Sequence, residues 1–272
     1  MSTLLHILLF LLLALYTSAD VTTFDFRSEH DNCVPPIKDQ GSCAAGYAFS
    51  STYAISARQC LLTSELSDPS EQELISCLHG CDTGHLSDVS SYVADNGLRS
   101  SSCFTYHERD TSCIPRCSSS VIGFIPVVWV NATSYVFDAS LSFIKQQVVD
   151  HGPITITIPI YESWISYTGG IYDAHINDTS LGYHHVNIIG FDDSENSFLL
   201  TNSFGTDWGE NGYWKGNQSS EMFPWGLAVM GFHPTPEELP FDWTLYVIIG
   251  GIVVILLLVL GCFYCFKLSR KY

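Results

Sequence analysis

The 272-residue chain is predicted to be an α+β protein of two lobes, helical first and strand-rich second, followed by a C-terminal transmembrane helix. Three features predict this. Apolar residues recur at four-residue spacing in the first half, and short runs rich in Ile, Val and Phe dominate the second. The third is an uncharged run of 23 residues close to the C-terminus, Thr244 to Phe266. Helices followed by strands indicate an α+β arrangement rather than alternating α/β units.

Taken in order, Leu4 to Tyr16 is an apolar run followed by Thr17-Ser18-Ala19, so residues 1–19 read as a signal peptide cleaved before Asp20. The folded domain is expected over 20–233, with its helical lobe at about 33–120 and its β lobe at about 121–233. Ala48 to Cys60 puts Phe49, Tyr53 and Ala57 on one helix face. Pro69-Ser70-Glu71-Gln72-Glu73 opens a second helix, with Ser70 three residues before Glu73 in capping-box spacing. Strands are expected at Val121 to Val130, Ile154 to Ile160, His185 to Phe191 and Phe198 to Thr201. One helix, Ser140 to Asp150, interrupts them with Leu141, Ile144 and Val148 aligned, and Gly152-Pro153 stops it. Residues 234–243 are proline-rich and read as a semi-rigid stalk.

The span 244–266 is long enough to cross a bilayer. Lys267, Arg270 and Lys271 come directly after it, whereas Glu237, Glu238 and Asp242 precede it, so residues 267–272 are placed in the cytoplasm. A GPI signal would end in its apolar tail instead of a basic hexapeptide. The expected location is therefore a type I membrane protein of the secretory, endolysosomal or cell-surface route, with its domain luminal or extracellular. Cys262 and Cys265 sit at the cytoplasmic edge of the span, where palmitoylation and apolar packing both account for them.

All 28 Asp and Glu lie between the two apolar segments, against 8 of the 11 Lys and Arg, so that region carries about −20. Such a charge argues against nucleic acid and against docking onto anionic lipid. Eight cysteines lie in the same region, an even count that implies disulfides in an exported chain and leaves 105 pairings open. Sequons at Asn131, Asn177 and Asn217 would be reachable by glycosylation enzymes there.

Residues 40–50, Gln-Gly-Ser-Cys-Ala-Ala-Gly-Tyr-Ala-Phe-Ser, resemble the segment Q-G-x-C-G-S-C-W-A-F-S of papain-like cysteine peptidases. Phe24-Asp25-Phe26-Arg27 with Asn32-Cys33 is similar to the F-D-x-R…N-C of the cathepsin B branch, and Ala54 to Cys60 to its A-I-S-D-R-x-C. Gly152-Pro153-Ile154, Tyr167 to Tyr172, His184 to Gly190 and Asn202 to Tyr213 each resemble a further segment of the family. These six further matches, in order over some 190 residues, make the resemblance specific. It implies a two-lobed papain-like fold with a β-barrel-like second lobe. It also implies the pairings Cys33–Cys60, Cys43–Cys81, Cys77–Cys113 and Cys103–Cys117. Between Cys103 and Cys117 there is too little chain for the occluding loop of cathepsin B. The mature-type sequence begins within five residues of the expected signal cleavage, without a prosegment, consistent with no activity to restrain.

In this family a thiolate attacks the peptide carbonyl, a histidine exchanges its proton and an asparagine orients the ring. The resemblance puts Gln40 at the oxyanion position, His184 at the base position and Asn202 at the orienting position. Gly46 falls at the nucleophile position, where the family carries cysteine. Glycine can neither attack nor hold an acyl group. Gly84 resembles the residue whose backbone binds substrate, while Thr83 replaces a glycine beside it. Ala44, Ala45, Tyr47 and Phe204 also depart from the family pattern. Cys43 lies nearly one helical turn early, and using it would strand Cys81; Ser42 has no base in reach. The histidines, His175 and His185 among them, show no metal spacing such as H-E-x-x-H, so no metal and no cofactor are expected.

The expected function is that of a membrane-anchored, catalytically inactive homologue that binds peptides or proteins through the former substrate cleft. Cystatin-type inhibitors and active cathepsins are candidate partners. The competing reading is a residually active cysteine-type peptidase with unconventional machinery, and a third is a structural surface protein with a closed cleft.

Overall fold

The computed structural model describes residues 21–82, 84–114, 124–130, 141–174, 177–223 and 229–234, the strands 124–130 and 229–234 by backbone only. By its contacts the chain divides into two units, Met1–His233 and Pro234–Tyr272, and the helices and the sheet belong to the first. Residues 1–20 and 235–272, which hold the expected signal, most of the stalk and the expected span, lie outside the described residues, as do Thr83, Cys117 and Asn131. Among the described residues no helix is long and apolar enough to cross a membrane.

In chain order the elements are β1 (Thr23–Asp25), α1 (Phe26–Glu29), a 3-10 turn (Asp31–Cys33), α2 (Gly46–Thr63), α3 (Glu71–Cys77) and α4 (Leu86–Asn96). Then come β2 (Phe124–Val130), α5 (Leu141–His151), β3 (Ile154–Tyr161), α6 (Glu162–Ile165), β4 (Ile171–Tyr172), β5 (Ser180–Asp192), β6 (Ser197–Thr201), β7 (Tyr213–Asn217) and β8 (Val229–Pro234). Helices first and strands second is the predicted order.

Helix α2 is central. It is buried almost all round, because it serves two cores at once. On one side Ala48, Phe49 and Ile55 pack with Leu74 and Ile75 of α3 and with Leu86, Val89 and Val93 of α4. On the other, Tyr53, Ala57 and Cys60 pack against Phe26, Ile189 and Leu199. Ser70 caps α3 as its spacing predicts, its Oγ accepting from Glu73 N at 3.0 Å. Helix α5 buries Ile144 and Val148, and Gly152 ends it at φ +82°, a left-handed conformation suited to glycine.

The sheet has eight strands in the order β2-β8-β3-β5-β6-β7-β4, with β1 added against β5. β3 and β5 are antiparallel and in register from Ile154↔Ile188 to Ile160↔Gly182, which sets Ile158 opposite His184. Ile154, Ile156, Val186, Ile188, Phe198, Leu200 and Trp214 make the core of this lobe. Three disulfides form as the resemblance implies: Cys33–Cys60, Cys43–Cys81 and Cys77–Cys113. Cys103 is also disulfide-bonded. Loops of this size are worth roughly 3–4 kcal/mol each by the chain-entropy argument. Disulfides at this density suit an oxidising, luminal compartment.

Candidate functional site

The site is built where α2 begins. Ala45 is the N-cap and offers no side-chain cap, so the first N–H groups of α2 lack the usual local acceptor. Preceding it, residues 40–45 form a tight turn: Cys43 N donates to Gln40 O at 3.3 Å, and Ala45 N to Cys43 O at 2.7 Å. The Cys43–Cys81 disulfide and the Ala44 N to Cys81 O hydrogen bond (3.1 Å) tie this turn to the loop carrying Gly84.

Strand β5 brings His184 over the start of α2, and the residue after β6 is Asn202. His184 Nε2 lies 2.9 Å from Asn202 Oδ1, and both side chains are buried. Asn202 Oδ1 also accepts from Ser203 N at 2.8 Å. An amide oxygen can only accept, so the imidazole proton sits on Nε2 and Nδ1 is left bare. Nδ1 faces Gly46. A Cβ built on Gly46 would come within 2.6 Å of Nδ1 and 2.5 Å of Cε1, so the ring fills the space a side chain there would need.

Burial drives the His184 pKa down to about 4, with the Asn202 hydrogen bond offsetting part of the effect. Its cover is aromatic: the Phe204 ring centre is 5.0 Å away and that of Trp164 5.7 Å. Next to it His185 is also buried, and its pKa falls to about 3 through desolvation, then through repulsion from His184 and His85. Tyr47 meets His185 and His79 edge-on, and its hydroxyl donates to Gly80 O at 2.9 Å. Burial raises the pKa of that hydroxyl well above its usual value.

Gln40 joins the same cluster from the N-terminal segment. Its Nε2 donates to Cys43 O at 2.9 Å, and its Oε1 accepts from Ser203 Oγ at 2.5 Å. That spends one of the two amide N–H groups. Gly84 is buried, and a Cβ there would stand 2.8 Å from the Tyr47 ring and 2.9 Å from His79, so this position requires glycine. Gln40, Gly46, His184 and Asn202 are thus assembled in one place, with Gly84 against Tyr47 beside them. Asn177 is exposed in a turn, while Asn217, at the end of β7, donates its amide to Asp173 at 3.0 Å. Among the described residues no group of three or more His, Cys, Asp or Glu could hold a metal ion.

Three contributors are not evident from the sequence. Ser203 fixes Gln40; its place directly after Asn202 is the available signal. Trp164 covers His184 from α6, a four-residue helix too short to show a period. The segment Phe104 to Cys113 braces the turn: Tyr106 Oη donates to Gln40 O at 2.5 Å, Glu108 accepts from Ser42 N, and Asp110 accepts from Cys81 N. Of the aromatic residues near 204–214, Trp214 is fully buried, and Phe204, partly buried against the same core, also covers His184.

Helices on one side, a largely antiparallel sheet on the other, and a histidine–asparagine pair facing a helix start define a peptidase-type scaffold. Residues 21–225 match the family model described as papain family cysteine protease. The chain belongs to that family. It is 32% identical over 201 residues to a cathepsin B-like protein of Giardia intestinalis, covering 71% of this chain and 66% of the relative. It is 34% identical over 240 residues to digestive cysteine proteinase 1 of Homarus americanus, covering 82% and 70%. The chain thus spans about two thirds of the length of these relatives. Among solved structures, procathepsin B S9 from Trypanosoma congolense shares the fold at TM-score 0.69 and 21% identity, covering 80% of this chain and 79% of that one. A Carica candamarcensis cysteine protease in complex with E-64 does so at TM-score 0.65 and 23% identity, covering 79% and 99%.

Proposed function

We propose that this protein is a pseudopeptidase: a cathepsin B-like scaffold in which Gly46 stands at the nucleophile position, and which binds peptides or proteins through the former substrate cleft. One observation carries the reading. Every cysteine among the described residues is committed to a disulfide, so none of them is a thiol that His184 could activate. The bare Nδ1 of His184 meets an α-carbon bearing only hydrogen. Losing the nucleophile of a peptidase triad costs on the order of a millionfold in kcat.

In this reading Gln40, His184 and Asn202 keep the oxyanion, base and orienting positions, and Gly84 and Thr83 border the peptide path. The domain is luminal or extracellular, held to the membrane by residues 244–266 and glycosylated at Asn131, Asn177 and Asn217. Its ligands are extended peptides, cystatin-type inhibitors or active cathepsins, and no cofactor takes part.

The test pairs covalent labelling with binding. The purified protein, treated with an epoxide or vinyl-sulfone peptide, is expected to remain unlabelled by mass spectrometry. A fluorescent peptide library is expected to yield saturable binders that the same peptides, unlabelled, displace. Covalent labelling that disappears in Cys43→Ser would instead establish the residually active hydrolase. Absence of any binder would establish a closed cleft.

A further inference from the structure

Beside the His184–Asn202 pair, one face of strand β5 is left partly uncovered. Side chains alternate along a strand, so Leu181, Tyr183 and His185 share a face, with Gly182 and His184 on the other. His185 is only 5% exposed and meets Tyr47, the second residue of α2. Toward its start the strand loses that cover: Tyr183 is 57% exposed and Leu181 49%. Opposite Tyr183 in the antiparallel register stands Pro159 of β3, which is half-buried. Cross-strand neighbours of this kind touch, so the three form an apolar shelf beside the start of α2. Single exposed apolar residues are ordinary, whereas a group rimmed by polar residues marks an interaction surface.

The charge around this shelf is of one sign. From Gln146 to Trp214 the chain has no Lys or Arg and nine Asp and Glu. Glu162 directly follows β3 and Asp178 precedes β5, and the hydrogen bond from Glu162 N to Thr179 O (3.1 Å) draws both to the open end of this hairpin. Glu162 is exposed. Lys145 and Lys215, the nearest lysines on either side in the sequence, are spent on Asp193 and Glu195. Across the start of α2, Asp82 and Asp110 are charged neighbours of the Tyr47 hydroxyl, with Arg109 as the adjoining cation. A field of this sign attracts cationic ligands and repels acidic ones.

We propose that the shelf receives a basic peptide segment, in which a large apolar side chain lies on Tyr183, Leu181 and Pro159 and a neighbouring Lys or Arg pairs with Glu162. This assignment rests on the cleft reading above and adds the chemistry of the ligand to it. An exposed tyrosine suits the role, because its ring supplies contact area at little entropic cost and its face also attracts a cation.

The probes are fluorescent Gly/Ser peptides that carry Phe-Lys, Phe-Glu or Ser-Lys at their centre. Phe-Lys should bind the full-length protein at least about tenfold more tightly than either of the others, and added salt should weaken it. Tyr183→Ser, at an exposed position, should weaken Phe-Lys by about tenfold, as expected for an aromatic anchor. Equal binding of Phe-Glu, or an unchanged affinity in Tyr183→Ser, would overturn this assignment while library peptides that still bind uphold the cleft reading. Absence of binding by every peptide, in this set and in the library, would overturn both. A dimer in sedimentation that Tyr183→Ser dissolves would give the shelf to a second copy of the chain and overturn the peptide as its occupant.

Discussion

The bare Nδ1 of His184 lies over the α-carbon of Gly46, so close that even a methyl group on residue 46 would sit 2.6 Å from it. Ordinary contacts begin about 1 Å further out. The ring is not free to retreat, since Asn202 holds Nε2 at 2.9 Å and Phe204 and Trp164 cover its faces. Absence of a side chain and position of the imidazole are therefore one arrangement.

Gly46→Ala should destabilise the protein. Alanine gains about 0.5–1 kcal/mol over glycine within a helix, but overpacking against a fixed ring costs about 1–3 kcal/mol. The net expectation is a loss of roughly 0.5–2 kcal/mol, read from urea midpoints. Gly46→Cys carries the same clash, and a displacement of about 1 Å costs on the order of a hundredfold in rate. It should cleave peptides slowly at most. Near-normal turnover by that single variant would show that His184 yields freely.

Acid should weaken the fold at His184 and His185. Both are buried and neutral, with folded pKa values of about 4 and about 3, below the ordinary 6.5. A histidine whose folded pKa is depressed contributes stability above its unfolded pKa. That stability drains away as pH falls from about 6.5 toward the folded value, because the unfolded chain takes up protons first. At pH 5 the loss is about 2 kcal/mol for each, an upper figure for adjacent groups that repel. Tyr47 meets His185 edge-on and His85 is its electrostatic neighbour, while His79, bonded to Asp88, packs edge-on against Tyr47 and His85. Urea titrations at pH 7.5, 6 and 5 should show the midpoint falling, and His185→Asn should flatten the slope. A midpoint constant over this range would refute the neutral burial of the pair.

Trp164 should govern that pKa. It is fully buried, with Trp208 and Trp214 behind it and His184 in front. Trp164→Ala should cost about 3–5 kcal/mol as a large-to-small core change. Water admitted beside the ring should also raise the His184 pKa toward 6.5, which imidazole ¹⁵N shifts would follow. A destabilised variant with an unmoved titration would mean that burial by other neighbours sets the value.

Much of this arrangement is legible in the sequence, and the exceptions have physical causes. Ile144 and Val148 in α5, and the alternating strand β3, announce themselves by period. Helix α2 begins two residues before the expected Ala48, because a first turn needs no apolar stripe. Strand β5 starts at Ser180 instead of His185. Leu181 and Tyr183 are exposed and Gly182 lies between them, so that end lacks the alternation that marks a half-buried strand. Helix α4 has no counterpart among the expected elements, although Leu86, Val89 and Val93 carry helical spacing; its N-cap, His85, supplies no side-chain hydrogen bond as a start signal. Gln40, Gly46, His184 and Asn202 are found through resemblance, since residues this far apart in sequence meet only through the fold.

The capping box at α3 shows the same limit and yields the last prediction. Ser70 accepts from Glu73 N, but the reciprocal bond is not made: Ser70 N donates to Arg99 O instead. The Glu73 carboxylate, fully buried, turns to Arg99, accepting from its backbone N at 2.7 Å and pairing with its guanidinium, and it accepts from Tyr92 Oη at 3.1 Å. A buried charge is satisfied by a full cation and two further donors better than by one N–H at a helix start. Removing one partner of such a pair leaves the other uncompensated and costs about 3–5 kcal/mol. Glu73→Ala should lose that much in chemical denaturation. Ser70→Ala, which forfeits only the cap and a bond to Phe104 O, should lose about 0.5–2 kcal/mol. Equal losses in the two variants would mean that Glu73 acts in the box that its spacing suggests, and not as the anchor of Arg99.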